Sequence, residues 1–268
     1  MRTADGTIVL GLHRSGHARD LLEAAADLDV TRLDTASNYL RHRSHEVLKT
    51  TAGDLLPKFS VSTKVGYFPE GHSLAPARLR VAVEQAIKDL GREPDLVFLH
   101  NPEHSAPDAE TLEQACTVLA DAAQAGLCRS WGVSTWDLRS LMDFDVPSPD
   151  VLMVRAGLLV GVDVLEAAEA LAMRWCPSQV WGMSPFGGST AEAVWERFDP
   201  RIFLRGSPSA TKIQSAFRSS YALPRVDAVA VGTDDVAHLR ELTEALAYEV
   251  DENVVREYRQ LLKARQRA

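Results

Sequence analysis

The sequence predicts an α/β fold, a single (β/α)8 TIM barrel over residues 1–268 with one extra C-terminal helix, and three observations carry that expectation. Short apolar, β-branched runs alternate eight times with longer stretches of helical period, the order left by parallel strands joined through helical crossovers. The chain has 268 residues, close to the roughly 250 typical of one such barrel. Hydrophobic residues make up 46% and charged residues 25%, the composition of a globular domain with one large core and not of a disordered chain.

The predicted staves are Ile8–Leu12, Thr31–Asp34, Phe59–Thr63, Leu96–Leu99, Arg129–Val133, Val151–Val154, Gln179–Met183 and Ala228–Val231. Each is short and apolar enough for a buried barrel strand. Helices are predicted between them at Ala18–Leu28, Pro76–Leu90, Thr111–Ala125 and Asp235–Tyr248, where apolar positions recur three and four apart behind capping residues. A last segment, Glu252–Arg267, puts Val254, Val255, Tyr258, Leu261 and Leu262 on one side and predicts a helix packed outside the barrel. Asp145–Asp150 (DVPSPD) reads as a loop, and no internal repeat or low-complexity tract stands out. An open, doubly wound sheet is the competing architecture. Against it, the first strand leads into Gly11-Leu12-His13-Arg14-Ser15-Gly16, which lacks the GxGxxG spacing that brings a dinucleotide's phosphates onto a helix.

A net charge of −8 leaves no basic stripe to displace counterions from phosphates, so a small-molecule partner is expected and a nucleic-acid partner is not. No apolar run approaches a membrane span, and Met1–Gly6 lacks the charged-then-apolar order of a signal peptide. A cytoplasmic protein without a membrane partner is the expectation; oligomeric state is not written in the sequence. Cys116, Cys128 and Cys176 are odd in number, far apart and without metal-ligand spacing, so reduced, structural thiols and no metal site are expected.

In a parallel barrel the site lies where strands end. Asp34 closes the second predicted strand, with Tyr39 following in Asp34-Thr35-Ala36-Ser37-Asn38-Tyr39; Lys64 closes the third in Ser62-Thr63-Lys64; His100 closes the fourth in Leu99-His100-Asn101-Pro102. A phenol becomes a usable proton donor or acceptor when a neighbouring ammonium stabilises its phenolate. Lys64 can supply that charge, and Asp34 is the carboxylate that can keep a buried lysine charged. His100 can donate to a carbonyl oxygen. Singly, these residues have plain structural explanations: a turn cap, a rim charge, a core histidine. Their joint occurrence at three successive strand ends points to an acid–base centre acting on a carbonyl. Tyr67, Phe68, Trp131 and Trp136 are candidates to line its mouth.

With these motifs in place, the chain resembles the aldo-keto reductases over nearly its whole length. Further matches are Ser44-His45-Glu46-Val47-Leu48, Gly126-Leu127-Cys128-Arg129-Ser130-Trp131-Gly132-Val133-Ser134, Ser184-Pro185-Phe186-Gly187-Gly188 and Val226-Asp227-Ala228-Val229-Ala230-Val231-Gly232-Thr233. The resemblance implies a (β/α)8 barrel that reduces aldehydes and ketones with a nicotinamide cofactor, NAD(P)H, most often NADPH. It places Asp34, Tyr39, Lys64 and His100 on the catalytic positions. It implies cofactor contacts at Ser134, Thr135, Met183, Ser184, Gly187, Gly188, Gly232, Thr233 and Asp235.

Several of those cofactor positions depart from the family pattern. The usual Ser-Asn pair reads Ser134-Thr135, Met153 stands at the glutamine, Met183 stands at the tyrosine that stacks on the nicotinamide, and Leu242 stands at the adenine-contacting asparagine. Asp235 falls where an arginine or lysine pairs with the 2′-phosphate, and a carboxylate there repels that phosphate and favours NADH. Three functions follow as expectations. The first is reduction of a small carbonyl compound, or oxidation of its alcohol. The second is a cofactor-independent lyase, dehydratase or isomerase reaction using the same centre. The third is an inactive binding or regulatory barrel.

Overall fold

In chain order the strands are β1 (Thr7–Gly11), β2 (Arg32–Asp34), β3 (Ser60–Val65), the two-residue pair β4 (Tyr67–Phe68) and β5 (Gly71–His72), β6 (Leu96–His100), β7 (Ser130–Ser134), β8 (Val151–Arg155), β9 (Gln179–Met183) and β10 (Ala228–Val231). They come from a computed structural model that describes residues 6–13, 15–191, 193–206 and 209–267. All except β4 and β5 pair in parallel, each with its successor, and β10 pairs back onto β1 to close the ring. The predicted (β/α)8 barrel is therefore the fold. β4 and β5 form a small antiparallel hairpin beside its mouth.

The helices are α1 (Arg19–Asp27), the short turn α2 (Tyr39–His42), α3 (Ser44–Ala52), α4 (Pro76–Leu90), α5 (Ala109–Gln124), α6 (Val162–Trp175), α7 (Val194–Arg197), α8 (Lys212–Ser219), α9 (Val236–Ala245) and α10 (Glu252–Arg267). Side chains set several starts: Asp108 accepts from Thr111 N at 2.8 Å, Thr211 and Gln214 form a reciprocal capping box, and Asp235 accepts from Ala237 N at 2.6 Å. One crossover departs from the repeating unit. Between β7 and β8 the only helical element is the single 3-10 turn Leu138–Leu141, and the following loop carries Pro147 and Pro149, which have no N–H to donate to a helix.

The period-two alternation of the staves divides the core. Val9, Leu96, Phe98, Val151 and Trp181 point into the ring and fill it with Ala228 and Ala230. Val97, Val133, Leu152 and Val154 point outward against Leu79, Leu119 and Leu171 of the surrounding helices. Gly132 is dictated by the inner packing: a Cβ there would lie 2.3 Å from the Val151 carbonyl oxygen and 2.9 Å from the Phe98 ring. Trp131, expected as a possible mouth residue, faces outward and is buried in the helix-side core.

α10 packs outside the barrel as expected, with Val255 buried and Tyr258 donating to the Leu158 carbonyl at 2.6 Å. Arg259 adds a bidentate pair to Glu169, both contacts 2.6 Å. Leu261 does not share this face and is 68% exposed. The three cysteines are free; Cys116 and Cys128 are buried, whereas Cys176 is exposed at the end of α6 and is not a core residue. No described helix is long and apolar enough to cross a membrane, and no described group of three or more His, Cys, Asp or Glu is arranged to hold a metal ion.

Candidate active site

The alternation that fills the ring also builds its mouth. Below the rim the inward residues are Ser62, Phe98 and Trp181; two residues further along the same strands they are Lys64, His100 and Met183. These three line a cavity of about 500 Å³ at the C-terminal end of the ring, together with Asp34, Tyr39, Ser134 and Gly232. β3 runs on to Val65, so Lys64 is the penultimate residue of its strand rather than the residue closing it.

Tyr39 arrives from a loop. Ser37 N donates to the Lys64 carbonyl at 3.0 Å and Tyr39 N to the Ala36 carbonyl at 3.2 Å, which folds the chain back over the third stave. Leu40, Arg41 and His42 then occupy the left-handed region at φ 49°, 55° and 64°. For non-glycine residues that conformation costs on the order of 1 kcal/mol each, and such strain concentrates at functional sites.

Lys64 is 2% exposed. Its ammonium donates to the Asp34 carboxylate, to the Thr35 carbonyl at 3.0 Å and to the Tyr39 hydroxyl at 3.4 Å. Ser62 Oγ donates to the other Asp34 oxygen at 2.9 Å, so the buried carboxylate is bonded on both sides. Burial alone would strip Lys64 of its proton, but the Asp34 charge, the Tyr39 oxygen and the hydrogen bonds to both together outweigh it, and its pKa lies above the ordinary value. Tyr39 moves the opposite way from the expectation that the ammonium sets its acidity: burial pushes the phenol up, and Lys64 only partly pulls it back. The phenol is therefore fully protonated near neutral pH.

His100 stands with its ring edge toward Tyr39, centroids 6.3 Å apart. Burial and the Lys64 charge hold its pKa well below 6.5, so the imidazole is neutral. Nδ1 is buried without a partner. A buried orphan acceptor costs less than a buried orphan N–H, which places the proton on Nε2, the ring nitrogen left to face the cavity.

Behind this centre lies a second polar layer that the sequence reading passed over. His17 Nε2 bonds Ser44 Oγ at 2.6 Å, Ser44 bonds Thr35 Oγ1, and Thr35 supplies the carbonyl that Lys64 donates to. His45 bonds Thr63 Oγ1 at 2.7 Å, beside Lys64. Burial lowers both imidazoles to about 4. The unfolded chain therefore binds more protons between about pH 6.5 and 4, and stability, complete above that window, is lost as the pH falls through it. Each histidine contributes on the order of 3 kcal/mol of that loss. Urea denaturation at pH 7 and pH 4.5 checks this, and His17→Asn with His45→Gln is expected to flatten the difference.

Of the predicted cofactor residues, Ser134, Met183, Ser184, Gly188 and Gly232 line the cavity. Thr135 is fully buried with its hydroxyl unpartnered, and Gly187, Thr233 and Asp235 lie outside the lining. Tyr67 and Trp136 are at the mouth as expected; Phe68 is not, its ring lying against Arg78 at 4.0 Å. His13, Asn38, Asn101 and Phe186 also line the cavity and escaped the sequence reading. His13 lies edge-on to Tyr39 at 4.7 Å.

The cavity fits one part of a nicotinamide dinucleotide well and another poorly. Ser184 (φ 57°), Gly187 (φ 69°) and Gly188 (φ 118°) form a left-handed turn, with open space around Gly188, the kind of backbone that can cradle a phosphate. Met183 offers a polarisable face to a ring. Ser134 is the remaining polar side chain on the carboxamide side, its hydroxyl directed at the sulfurs of Met153 (3.5 Å) and Met183 (4.0 Å). Asp235, which the resemblance puts at the adenosine end, has its carboxylate capping α9, so a phosphate brought to that helix N-terminus would meet an acid.

A lysine–carboxylate pair, a phenol and a neutral imidazole thus meet at the C-terminal mouth of a closed parallel barrel, the end where active sites of this fold lie. The sequence model of the Aldo/keto reductase family matches residues 7–164, and the chain belongs to that family. L-glyceraldehyde 3-phosphate reductase of Escherichia coli K12 is 28% identical over a match covering 47% of this chain and 41% of the relative; the match thus spans less than half of that protein. Among solved structures, the aldo-keto reductase AKR11C1 from Bacillus halodurans superimposes with a TM-score of 0.75 at 17% identity, covering 95% of this chain and 91% of that one. An aldo-keto reductase from Klebsiella pneumoniae in complex with NADPH gives 0.72 at 18% identity, covering 96% and 90%.

Proposed function

We propose that the protein is a nicotinamide-dependent oxidoreductase that reduces the carbonyl of a small aldehyde or ketone, or oxidises the corresponding alcohol. One observation carries this reading: a buried ammonium, held charged by Asp34, lies 3.4 Å from the hydroxyl of a cavity-lining phenol. Family membership supports the oxidoreductase class, and the curated relative is named for reduction of an aldehyde.

Reduction adds a hydride to the carbonyl carbon and a proton to its oxygen; a bound reduced nicotinamide supplies the hydride. Met183 would underlie its ring, Ser134 would meet its carboxamide, and the Ser184–Gly188 turn with Gly232 would receive the phosphates. Tyr39 supplies the proton. As the oxygen takes on negative charge, the phenol passes its hydrogen to it, and the phenolate left behind faces the Lys64 ammonium. His100 donates from Nε2 to the same oxygen and lowers its charge as the proton moves. In the reverse direction the phenolate accepts the alcohol proton.

Titration of the protein with NADH and with NADPH, followed by nicotinamide fluorescence, tests the reading. Binding of NADH is expected about tenfold tighter than NADPH because the α9 cap is a carboxylate. Failure of both to bind at up to about 1 mM, the upper end of working affinities, would remove the reading. The two sulfurs around Ser134 favour one alternative, a lyase, dehydratase or isomerase reaction that needs no nucleotide. Turnover that continues without added nucleotide would select it.

A further inference from the structure

The Ser184–Gly188 turn has to be held from behind. Ser184, Gly187 and Gly188 all have positive φ, and the two glycines bring more backbone freedom than any other residue would. On the cavity side Gly188 meets open space, so the support comes from elsewhere. It comes from the rim loop that follows β8. A Cβ on Gly157 would lie 2.5 Å from the Pro185 carbonyl oxygen, and one on Gly187 would lie 2.8 Å from Leu159 Cδ1. The turn therefore rests directly on residues 157–159.

That loop is fixed in its turn by two hydrogen bonds. Gly157 N donates to the Leu223 carbonyl at 2.6 Å, and Tyr258 of α10 donates its hydroxyl to the Leu158 carbonyl, 100 residues away, at 2.6 Å. Leu158 is buried in one cluster with Phe203 and Val255, and both Tyr258 and Phe186 pack against that cluster. Phe186 is at the same time a wall of the cavity. The Tyr258 ring stands edge-on to Phe203, centroids 5.2 Å apart. Three ion pairs keep α10 in register with these contacts: Arg259 to Glu169 and Lys263 to Glu166 on α6, and Glu252 to Arg225 ahead of β10. The last helix thus braces the rim through one phenol.

Resting on the nicotinamide reading, we propose that Tyr258 is a positioning residue for nucleotide binding. Through Leu158 and Leu159 it holds the Ser184–Gly188 turn in the shape that receives the phosphates, and it touches neither nucleotide nor substrate. With the hydrogen bond in place the turn is ordered before the nucleotide arrives. Without it, part of the binding free energy goes into ordering the turn, and the complex comes apart faster. Proton transfer is left as it was, because Tyr39 and Lys64 come from staves across the ring from β8 and β9.

The test is the dissociation rate of the binary complex with NADH and with NADPH, read by stopped flow as nicotinamide fluorescence is lost in a chase with excess oxidised nucleotide. Tyr258→Phe keeps the ring, removes the donor and is expected to raise this rate about fivefold. Leu159→Ala, at a position 36% exposed, is expected to raise it by a similar factor. Because both act through one loop, the double variant is expected to reach about tenfold, short of the roughly 25-fold of independent effects. Hydride transfer at saturating nucleotide and aldehyde is expected to stay within about twofold. Val83→Ala, buried on α4 in the other helix-side cluster, lowers stability by at least as much as one lost hydrogen bond and is expected to leave dissociation unchanged. An unchanged rate in Tyr258→Phe, independent effects in the double variant, an equal change in hydride transfer, or an equal rise in Val83→Ala overturns the proposal alone. Failure of the natural protein to bind either nucleotide overturns the nicotinamide reading and this proposal with it.

Discussion

Tyr39→Phe is expected to lower kcat for aldehyde reduction by roughly 10²- to 10⁴-fold, the scale of a general acid. The phenol is fully protonated near neutral pH, because burial raises it more than Lys64 lowers it, so the natural protein always carries the proton that the variant lacks. The ring itself remains, with its edge contact to His13 at 4.7 Å, so the cavity keeps its shape. Stopped-flow measurement of nucleotide oxidation with saturating aldehyde reads the chemical step directly. A loss smaller than about fivefold would show that water or His100 donates instead and that the phenol is only a wall.

Removing the ammonium has a different signature, in stability. Lys64→Met is expected to destabilise the protein by about 3–5 kcal/mol, since it leaves the Asp34 carboxylate buried without a counterion. Asp34 would retain only the 2.9 Å hydrogen bond from Ser62. Asp34→Asn combined with Lys64→Met removes the stranded charge while keeping an acceptor for Ser62, and it is expected to recover at least half of the loss. Chemical denaturation of the natural protein and the single and double variants forms the cycle. If the double variant is no more stable than Lys64→Met, the loss comes from packing and not from an isolated charge.

The sequence carried the ring and the four central residues because both follow from local rules. Alternation aims Lys64 and His100 inward from strands that can be recognised by their own apolar runs, and consecutive βα units bring those strands side by side. Neighbouring residues were harder to see. Asn101 faces the cavity only because it leaves the extended conformation, at φ 48°, and the Tyr67 hydroxyl to which it donates meets His104 from 37 residues away. His17 meets Ser44 across 27 residues and needs a positive φ of 61° to do so, with nothing in its own flanking sequence to announce it. On the dinucleotide side, the resemblance puts Asp235 opposite a phosphate, while the helix cap that its carboxylate makes to Ala237 N depends on local backbone geometry. Spacing alone puts Leu261 on a packing face, but the helix meets its neighbours through Val255, Tyr258 and Leu262 and leaves Leu261 in solvent.

The crossover from β7 to β8 returns without a covering helix, held by Arg174 reaching the Met142 and Asp143 carbonyls and by Trp175 donating to the Phe144 carbonyl. Its staves are nevertheless covered: Val133, Leu152 and Val154 are buried in one cluster with Leu138 and Leu141 of the 3-10 turn and with Leu119 and Leu171 of the flanking helices. Residues 142–149 run to the end of the ring away from the cavity, where Ser148 bonds the Trp175 carbonyl and Asp150 N donates to the Trp131 carbonyl, so extra residues there would displace no barrel helix and leave the mouth as it is. Added chain at that point would change the molecule's outline while leaving both the ring and the chemistry at its other end untouched.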